Sequence, residues 1–254
     1  MDELKEYSLF AHNLAELSGK IIRSYFRSDI TIDTKADMSP VTIADKKAEE
    51  LMRNLIMKNY PEHGIIGEEF GSHNEKAEYQ WILDPIDGTK SFICGAISFG
   101  TLIALTKNGK PIIGIINQPV LKEFLIGNNE SAMLNDVAVK VSGRTKLSDS
   151  VLLTTDHLNI QKYQDIDKFN SLIPKVKLYR NWGDCYGYYL VATGFADIMI
   201  DPEMSIWDSM ALIPVIRGAG GTITDYHGND PVSGKSIIAA GSAEVHKEII
   251  KILN

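Results

Sequence analysis

Several carboxylates of this chain sit where apolar runs give way to turns. Residues 81–92 read WILDPIDGTKSF, so Asp84 and Asp87 flank a proline at the end of a strand-like run. Glu68 and Glu69 close the run GIIGEE, and Asp208 follows Trp207 at the start of WDSMALIPVIRGAGG. Locally each has an ordinary use, since Asp-Pro and Asp-Gly make turns, a helix-start acid can cap, and a strand can end in a solvated glutamate. Taken together they say more. Acids at the carboxyl ends of several apolar strands converge at one sheet edge, where ligands bind. Clustered carboxylates stay ionised only if cations neutralise them, and all-oxygen ligands suit Mg²⁺, or Mn²⁺ as an alternative.

Two or three such ions beside the Gly88-Thr89 turn, whose N–H groups can cradle an anion, point to phosphoryl chemistry. Other reactive constellations are missing. The six histidines show no His/Cys spacing for zinc, and neither a Ser-His-Asp order nor a GxSxG elbow indicates acyl transfer. No phosphate loop of the GxxxxGK type occurs, and GAGG at 218–221 is too short for a nucleotide fingerprint. Aspartyl-phosphate phosphatases of the haloacid dehalogenase type space their acids as DxDxT, whereas DPIDGT is one residue longer and holds a rigid proline. A metal-activated water therefore fits better than a covalent aspartyl intermediate.

These side chains need elements to hold them. Apolar residues at 4, 7, 11, 14, 21, 22 and 25 predict a first helix. Ala44, Ala48, Leu51, Met52, Leu55 and Ile56 predict a second, starting near Thr42 and stopping before Pro61. Between them lies a strand-like stretch and a turn around Ser39-Pro40. GIIGEE and WILDPID read as short strands, and residues 98–129 hold three β-like runs with Asn108-Gly109 as a hairpin signal. Residues 1–145 should thus form an α+β half, two helices on a largely antiparallel sheet. From 146 to 254 the strands VLLTTD, VKLYRN, ADIMID, GTITDYHG and SIIAAGS alternate with helices in DCYGYYLVATG, WDSMALIPVIRGAGG and AEVHKEIIKILN. That is an α/β half layered on the first as one integrated unit. Pro214 should kink the second of these helices or mark its beginning.

Across 254 residues the formal net charge is −7, which speaks against a broad nucleic-acid footprint but leaves room for a small anion pocket. The acidic N-terminal stretch MDELKEYSLFAHNLAEL does not resemble a secretory leader, and no run approaches a membrane span. A cytoplasmic location is expected. Cys94 and Cys185 then read as two structural thiols in a reducing compartment.

DPIDGTKSF resembles the first signature of the inositol monophosphatase family and WDSMALIPVIRGAGG its second, with GEE at 67–69 and SPVTIAD at 39–45 in the corresponding order. The resemblance spans nearly the whole chain. It implies a layered αβαβα sandwich, commonly a homodimer, with lithium-sensitive, Mg²⁺-dependent hydrolysis of a small phosphate ester. It further implies Glu68, Asp84, Asp87, Asp208 and the carbonyl of Ile86 as metal ligands. Thr89, paired with Asp45, would orient or deprotonate the attacking water, with Glu68 among the catalytic groups, and the Gly88 and Thr89 amides would hold the phosphate.

RNWGDCYGYYLVATG at 180–194 and DPEM at 201–204 resemble the histidinol-phosphate phosphatases of that family. Such a substrate carries an ammonium and an imidazole, so its pocket should offer anions and an aromatic face. Asp184, Asp201 and Glu203 are the candidate anions and Trp182 or Tyr186 the face, while Arg180 could hold an anion or brace a dimer. Asp87 and Asp208 also border this substrate side. Asp184 could instead cap a helix, and the two aromatics could simply pack. Inositol monophosphate is the alternative substrate, 3′-phosphoadenosine 5′-phosphate a weaker one, and a polymerase-associated regulatory role a different class altogether.

Overall fold

Residues 3–29, 32–34 and 40–254 are described in the computed structural model. The first amphipathic run forms helix α1 (Glu3–Tyr25), which buries Leu14, Ala15 and Ile22. A ribbon of β1 (Ile32–Thr34) and β2 (Pro40–Thr42) leads into α2 (Ile43–Asn59). The turn expected at Ser39-Pro40 falls partly outside the described residues, because Ser39 is not among them. Thr42 is the N-cap of α2: its hydroxyl accepts from Ala44 N at 3.1 Å, and Asp45 Oδ2 accepts in return from Thr42 N at 2.9 Å.

The first sheet holds eight strands. In chain order they are β3 (Gly64–Gly67), β4 (Gly71–His73), β5 (Tyr79–Asp87), β6 (Gly100–Lys107), β7 (Lys110–Gln118), β8 (Glu123–Gly127), β9 (Ala132–Leu134) and β10 (Val137–Ala138). A short helix, α3 (Thr89–Ile93), intervenes after β5. The spatial order is β10-β9-β8-β7-β6-β5-β3-β4, antiparallel throughout except for the β3–β5 pair. The Asn108-Gly109 signal is a two-residue hairpin in which both residues take positive φ, at 51° and 75°.

The second sheet contains β11 (Val151–Leu153), β12 (Leu178–Arg180), β13 (Ile198–Asp201), β14 (Thr222–Thr224) and β15 (Ile237–Ala240), in the order β12-β11-β13-β15-β14. Two helices not anticipated from the sequence, α4 (His157–Tyr163) and α5 (Ile166–Leu172), connect the parallel pair β11 and β12. The run DCYGYYLVA forms α6 (Asp184–Ala192), and α9 (Ala243–Leu253) closes the described chain. The segment expected as one helix around Pro214 is two: α7 (Ile206–Ser209) and α8 (Leu212–Gly218). Pro214 sits in the first turn of α8, where its missing N–H leaves no bond unmade.

Helices α1 and α2 cover one face of the first sheet, α6 and α8 lie between the sheets, and α5 and α9 cover the far face of the second. The fold is the αβαβα sandwich. Strand β5 is buried on both faces in its middle, which is why Trp81, Ile82 and Leu83 form an unbroken apolar run rather than an alternating one. Trp81 and Leu83 pack beneath α1 and α2, whereas Ile82 faces the core between the sheets. The middle layer approaches closely at Gly114 and Gly127, where an added Cβ would collide with the backbone of Ala211, Pro214 and Val215.

Candidate active site

Because β3 and β5 are parallel, Glu68 and the Asp84–Asp87 segment emerge at the same end of the sheet, and Glu68 N donates to Leu83 O at 3.1 Å. Residues three apart on a regular strand face opposite ways. Here Asp84 pairs with Leu102 and Asp87 with Gly100, so β5 carries one residue more than β6 over this stretch. This bulge restores both aspartates to one face, and Thr101 Oγ1 donates across it to Pro85 O at 2.9 Å. From the middle layer, α7 brings Asp208 against β5. Carboxylate oxygens of Asp84, Asp87 and Asp208 all lie within 4.8 Å of one another.

Asp208 combines two uses that the sequence left as alternatives. It closes a capping box by accepting from Ser205 N at 2.7 Å, and it belongs to the carboxylate cluster. The cluster is electrostatically loaded. Burial, then the neighbouring carboxylates of Glu68, Asp87 and Asp208, push Asp84 well above the usual carboxylate range. Asp87 is raised by burial and by Asp184 and Asp208, although the Cys185 amide donates to it and opposes the shift. Asp208 is pushed up to about 7, mainly by burial. Among the described residues no Lys, Arg or His forms an ion pair with these three. Asp84 Oδ1 is buried without a hydrogen-bond partner, as is Asp45 Oδ1. Orphaned acceptors within a carboxylate cluster fit a hard divalent cation.

The remaining residues expected around the ion and the phosphate are close by. Glu68, Gly88, Thr89 and Asp208 line one cleft of about 430 Å³. Thr89 Oγ1 donates to Ile86 O at 3.1 Å, so the threonine hydroxyl and the expected carbonyl ligand touch. A direct Thr89–Asp45 bond is not formed. Asp45 Oδ2 takes both the amide and the hydroxyl of Thr42, the latter at 2.6 Å, and its free oxygen is Oδ1. Asp45 is fully buried and raised by that burial, with Glu68 adding to the shift. Gly88 takes φ 87° and starts α3. A Cβ there would press on the Asp184 carboxylate, so glycine serves both the turn and the approach.

A smaller recess of about 150 Å³ shares Asp156, Asn159, Asp184 and Asp208 with this cleft and is lined further by Asp87, Asp201 and Glu203; no Lys, Arg or His lines it, whereas Lys90 lines the larger cleft. Asp184 follows the N-cap position, held by Gly183, and adopts φ 51°, a left-handed conformation for a non-glycine residue. Its N donates to Thr155 Oγ1 at 2.8 Å, and its Oδ2 accepts from Ser91 Oγ at 3.1 Å. Burial and the Asp201 carboxylate raise Asp184 to about 6. Asp201 is buried, accepting from Thr155 N at 3.1 Å and from Tyr188 Oη at 2.9 Å.

Three expected neighbours are not brought to either cleft. Arg180 ends an edge strand, is exposed, and donates to Tyr179 O at 2.7 Å. Trp182 is 49% exposed and outside both linings, and Tyr186 stacks on Tyr189 at 5.4 Å. The aromatic ring that does line the recess is Tyr188, one helical position pair beyond Tyr186. Asp156 and Asn159 were missed, although Asp156 ends the apolar run VLLTTD as the other acids end theirs. Burial, and then the neighbouring Asp87 carboxylate, push the Cys185 thiol far up, whereas Cys94 is exposed rather than a core thiol.

A layered α/β sandwich that gathers carboxylates beside a Gly-Thr turn defines a metal-dependent phosphomonoesterase. The chain belongs to the inositol monophosphatase family, whose family model matches residues 3–254. It is 44% identical to the bifunctional phosphatase IMPL2 of Arabidopsis thaliana, over 99% of this chain and 76% of that protein. A histidinol-phosphatase of Chlorobaculum parvum is 39% identical over 92% of this chain and 91% of that one. Among solved structures, an inositol monophosphatase from Zymomonas mobilis superimposes with a TM-score of 0.88 at 36% identity, covering 100% of this chain and 99% of the other.

Proposed function

We propose that this phosphomonoesterase hydrolyses L-histidinol phosphate to L-histidinol and phosphate, a step of histidine biosynthesis. One observation supports the choice of ester: the recess is lined by six acids and no cationic side chain, and four of them, Asp156, Asp184, Asp201 and Glu203, lie outside the expected ligand set of Glu68, Asp84, Asp87 and Asp208. A polyol phosphate gains little from buried carboxylates, whose desolvation is unfavourable unless a cation answers it. An ammonium group entering the recess offsets the burial and the repulsion from Asp201 that raise Asp184. The relatives named histidinol-phosphatase, including one from Mycobacterium tuberculosis at 33% identity over 97% of both chains, support the same choice.

In this reading Glu68, Asp84, Asp87, Asp208 and the Ile86 carbonyl hold Mg²⁺, with Mn²⁺ as a substitute. The bound ions supply a water of lowered pKa and a counter-charge for the leaving oxygen. The protein's own part is positional. Asp45, anchored on Thr42 through one oxygen, keeps the other free to take a proton or orient a water. Thr89 holds the Ile86 carbonyl, and the Gly88 and Thr89 amides face the phosphate. A homodimer and lithium sensitivity belong to the same reading and rest on the family resemblance, and a cytoplasmic location rests on the acidic N-terminal stretch and the two free cysteines.

The test is kcat/KM for phosphate release with Mg²⁺, comparing L-histidinol phosphate with inositol 1-phosphate. A preference above about 100-fold for histidinol phosphate, roughly 2.7 kcal/mol in transition-state discrimination, is expected. Equal or reversed values would remove the proposal and leave a general phosphatase.

A further inference from the structure

Helix α2 carries a second buried acid one turn beyond Asp45. Glu49 has no exposed side-chain surface, and it lines neither cleft. Its Oε2 accepts from Glu69 N at 2.7 Å and its Oε1 from Phe70 N at 3.1 Å. Arg53, one further turn along, donates to Glu49 Oε1 at 3.3 Å and to Gly71 O at 2.8 Å. Gly67 has no Cβ, and one added there would collide with the Glu49 carboxylate. Together these contacts bind both ends of the 68–71 turn to α2, while Glu68 N is tied to Leu83 O on β5.

A buried carboxylate that accepts two backbone amides satisfies groups that would otherwise be orphaned. What gives it a functional address is where those amides are. They belong to the two residues directly after Glu68, and Asp45 and Glu49, four apart, lie on one face of the same helix. We propose that Glu49 is a positioning residue, which with Arg53 fixes the turn that aims the Glu68 carboxylate at the metal site. The inference rests on Glu68 being a metal ligand, and its test separates the two.

Outer groups that orient a ligand change metal affinity by about 10–100-fold when removed. Glutamine is the discriminating replacement. Its amide offers one acceptor and one donor to two N–H groups, so one contact becomes donor against donor. Mg²⁺ binding to the full-length protein is measured by isothermal titration calorimetry for the parent and for Glu49→Gln, Glu68→Gln, the double variant and Asp197→Asn. Asp197 is the control: it too is a buried carboxylate, accepting from Val151 N at 2.7 Å, but it lies in the second half of the chain, away from the clefts.

Glu49→Gln should weaken Mg²⁺ binding by about tenfold or more, and the double variant should be no weaker than Glu68→Gln, because Glu49 acts through Glu68. Asp197→Asn should lower Tm with Mg²⁺ affinity intact. Unchanged affinity in Glu49→Gln, or full additivity with Glu68→Gln, overturns the positioning role. Unchanged affinity in Glu68→Gln overturns the ligand assignment and the proposal with it. If Glu49→Gln does not fold, Arg53→Met replaces it, with weaker Mg²⁺ binding expected and no change counting against the role.

Discussion

Asp84 and Asp87 are three positions apart on one strand, and yet they present their carboxylates to the same face, because the ladder between them holds one residue more on β5 than on β6. Pro85 lies inside that irregularity, where the lack of an N–H removes no ladder bond that the bulge would keep. Two acids at an odd spacing, which alternation would set back to back, become neighbours in one carboxylate cluster with Asp208.

Replacing Asp87 by Asn should reduce kcat/KM by at least about 100-fold and weaken Mg²⁺ binding. Steady-state kinetics across a Mg²⁺ titration check both. Retained turnover at ordinary Mg²⁺ would remove Asp87 from the ligand set.

The acids also make stability depend on pH in an unusual direction. Asp208 is raised to about 7 and Asp184 to about 6, so the folded, ion-free protein holds protons that the unfolded chain has released. Stability from these groups is complete below the unfolded carboxylate range near pH 4 and is lost as pH rises through 6 and 7. In EDTA, Tm should therefore increase between pH 8 and pH 6, by about 3–5 °C per pH unit for one fully titrating group. Mg²⁺ should raise Tm more at pH 8 than at pH 6, since it competes with those protons. Scanning calorimetry with and without Mg²⁺ reads this, and a Tm independent of pH in EDTA would contradict it.

Asp184→Asn tolerates the left-handed backbone at this position while removing the charge. It should lower kcat/KM for L-histidinol phosphate by about 10–100-fold, or 1.4–2.7 kcal/mol, and change that for inositol 1-phosphate much less. With the repulsion from Asp201 relieved, Tm at pH 7.5 should not fall. Equal losses on both esters would make Asp184 a general part of the machinery.

Gly114→Ala tests how the middle layer carries Asp208. An added methyl would collide with the Ala211 carbonyl, between α7 and α8. Overpacking of this kind is destabilising by about 1–3 kcal/mol, visible as a lower urea midpoint, and Mg²⁺ affinity should drop with it. A variant of parental stability would mean the layers can shift apart freely there.

What could be read from sequence had local causes. Thr42 announces its helix by a hydroxyl that its own next turn satisfies, and Asn108-Gly109 announces a hairpin because both residues accept positive φ. Glu68, Asp84 and Asp87 were legible because each ends an apolar run, and Asp208 because it opens a helix. The bulge was not, since whether Asp84 and Asp87 face together depends on pairing with Leu102 and Gly100, residues from another strand. Nor was the division of α7 from α8, which accompanies the close approach of Ala211 to Gly114. Trp182, Tyr186 and Tyr188 look interchangeable in the chain. Only the packing of α6 decides that Tyr188 faces the recess while Tyr186 stacks on Tyr189.

The carboxylate cluster is assembled from residues far apart in synthesis. Asp208 follows Asp87 by 121 positions, and it lies on a helix that packs against β5. At about 5–20 residues per second, a growing chain exposes Glu68, Asp84 and Asp87 for roughly 6–24 s before Asp208 exists. Through that interval the nascent protein carries an incomplete carboxylate cluster. The complete cluster is therefore deferred until translation of the second sheet is under way, with β14, β15 and α9 still to be made when Asp208 appears.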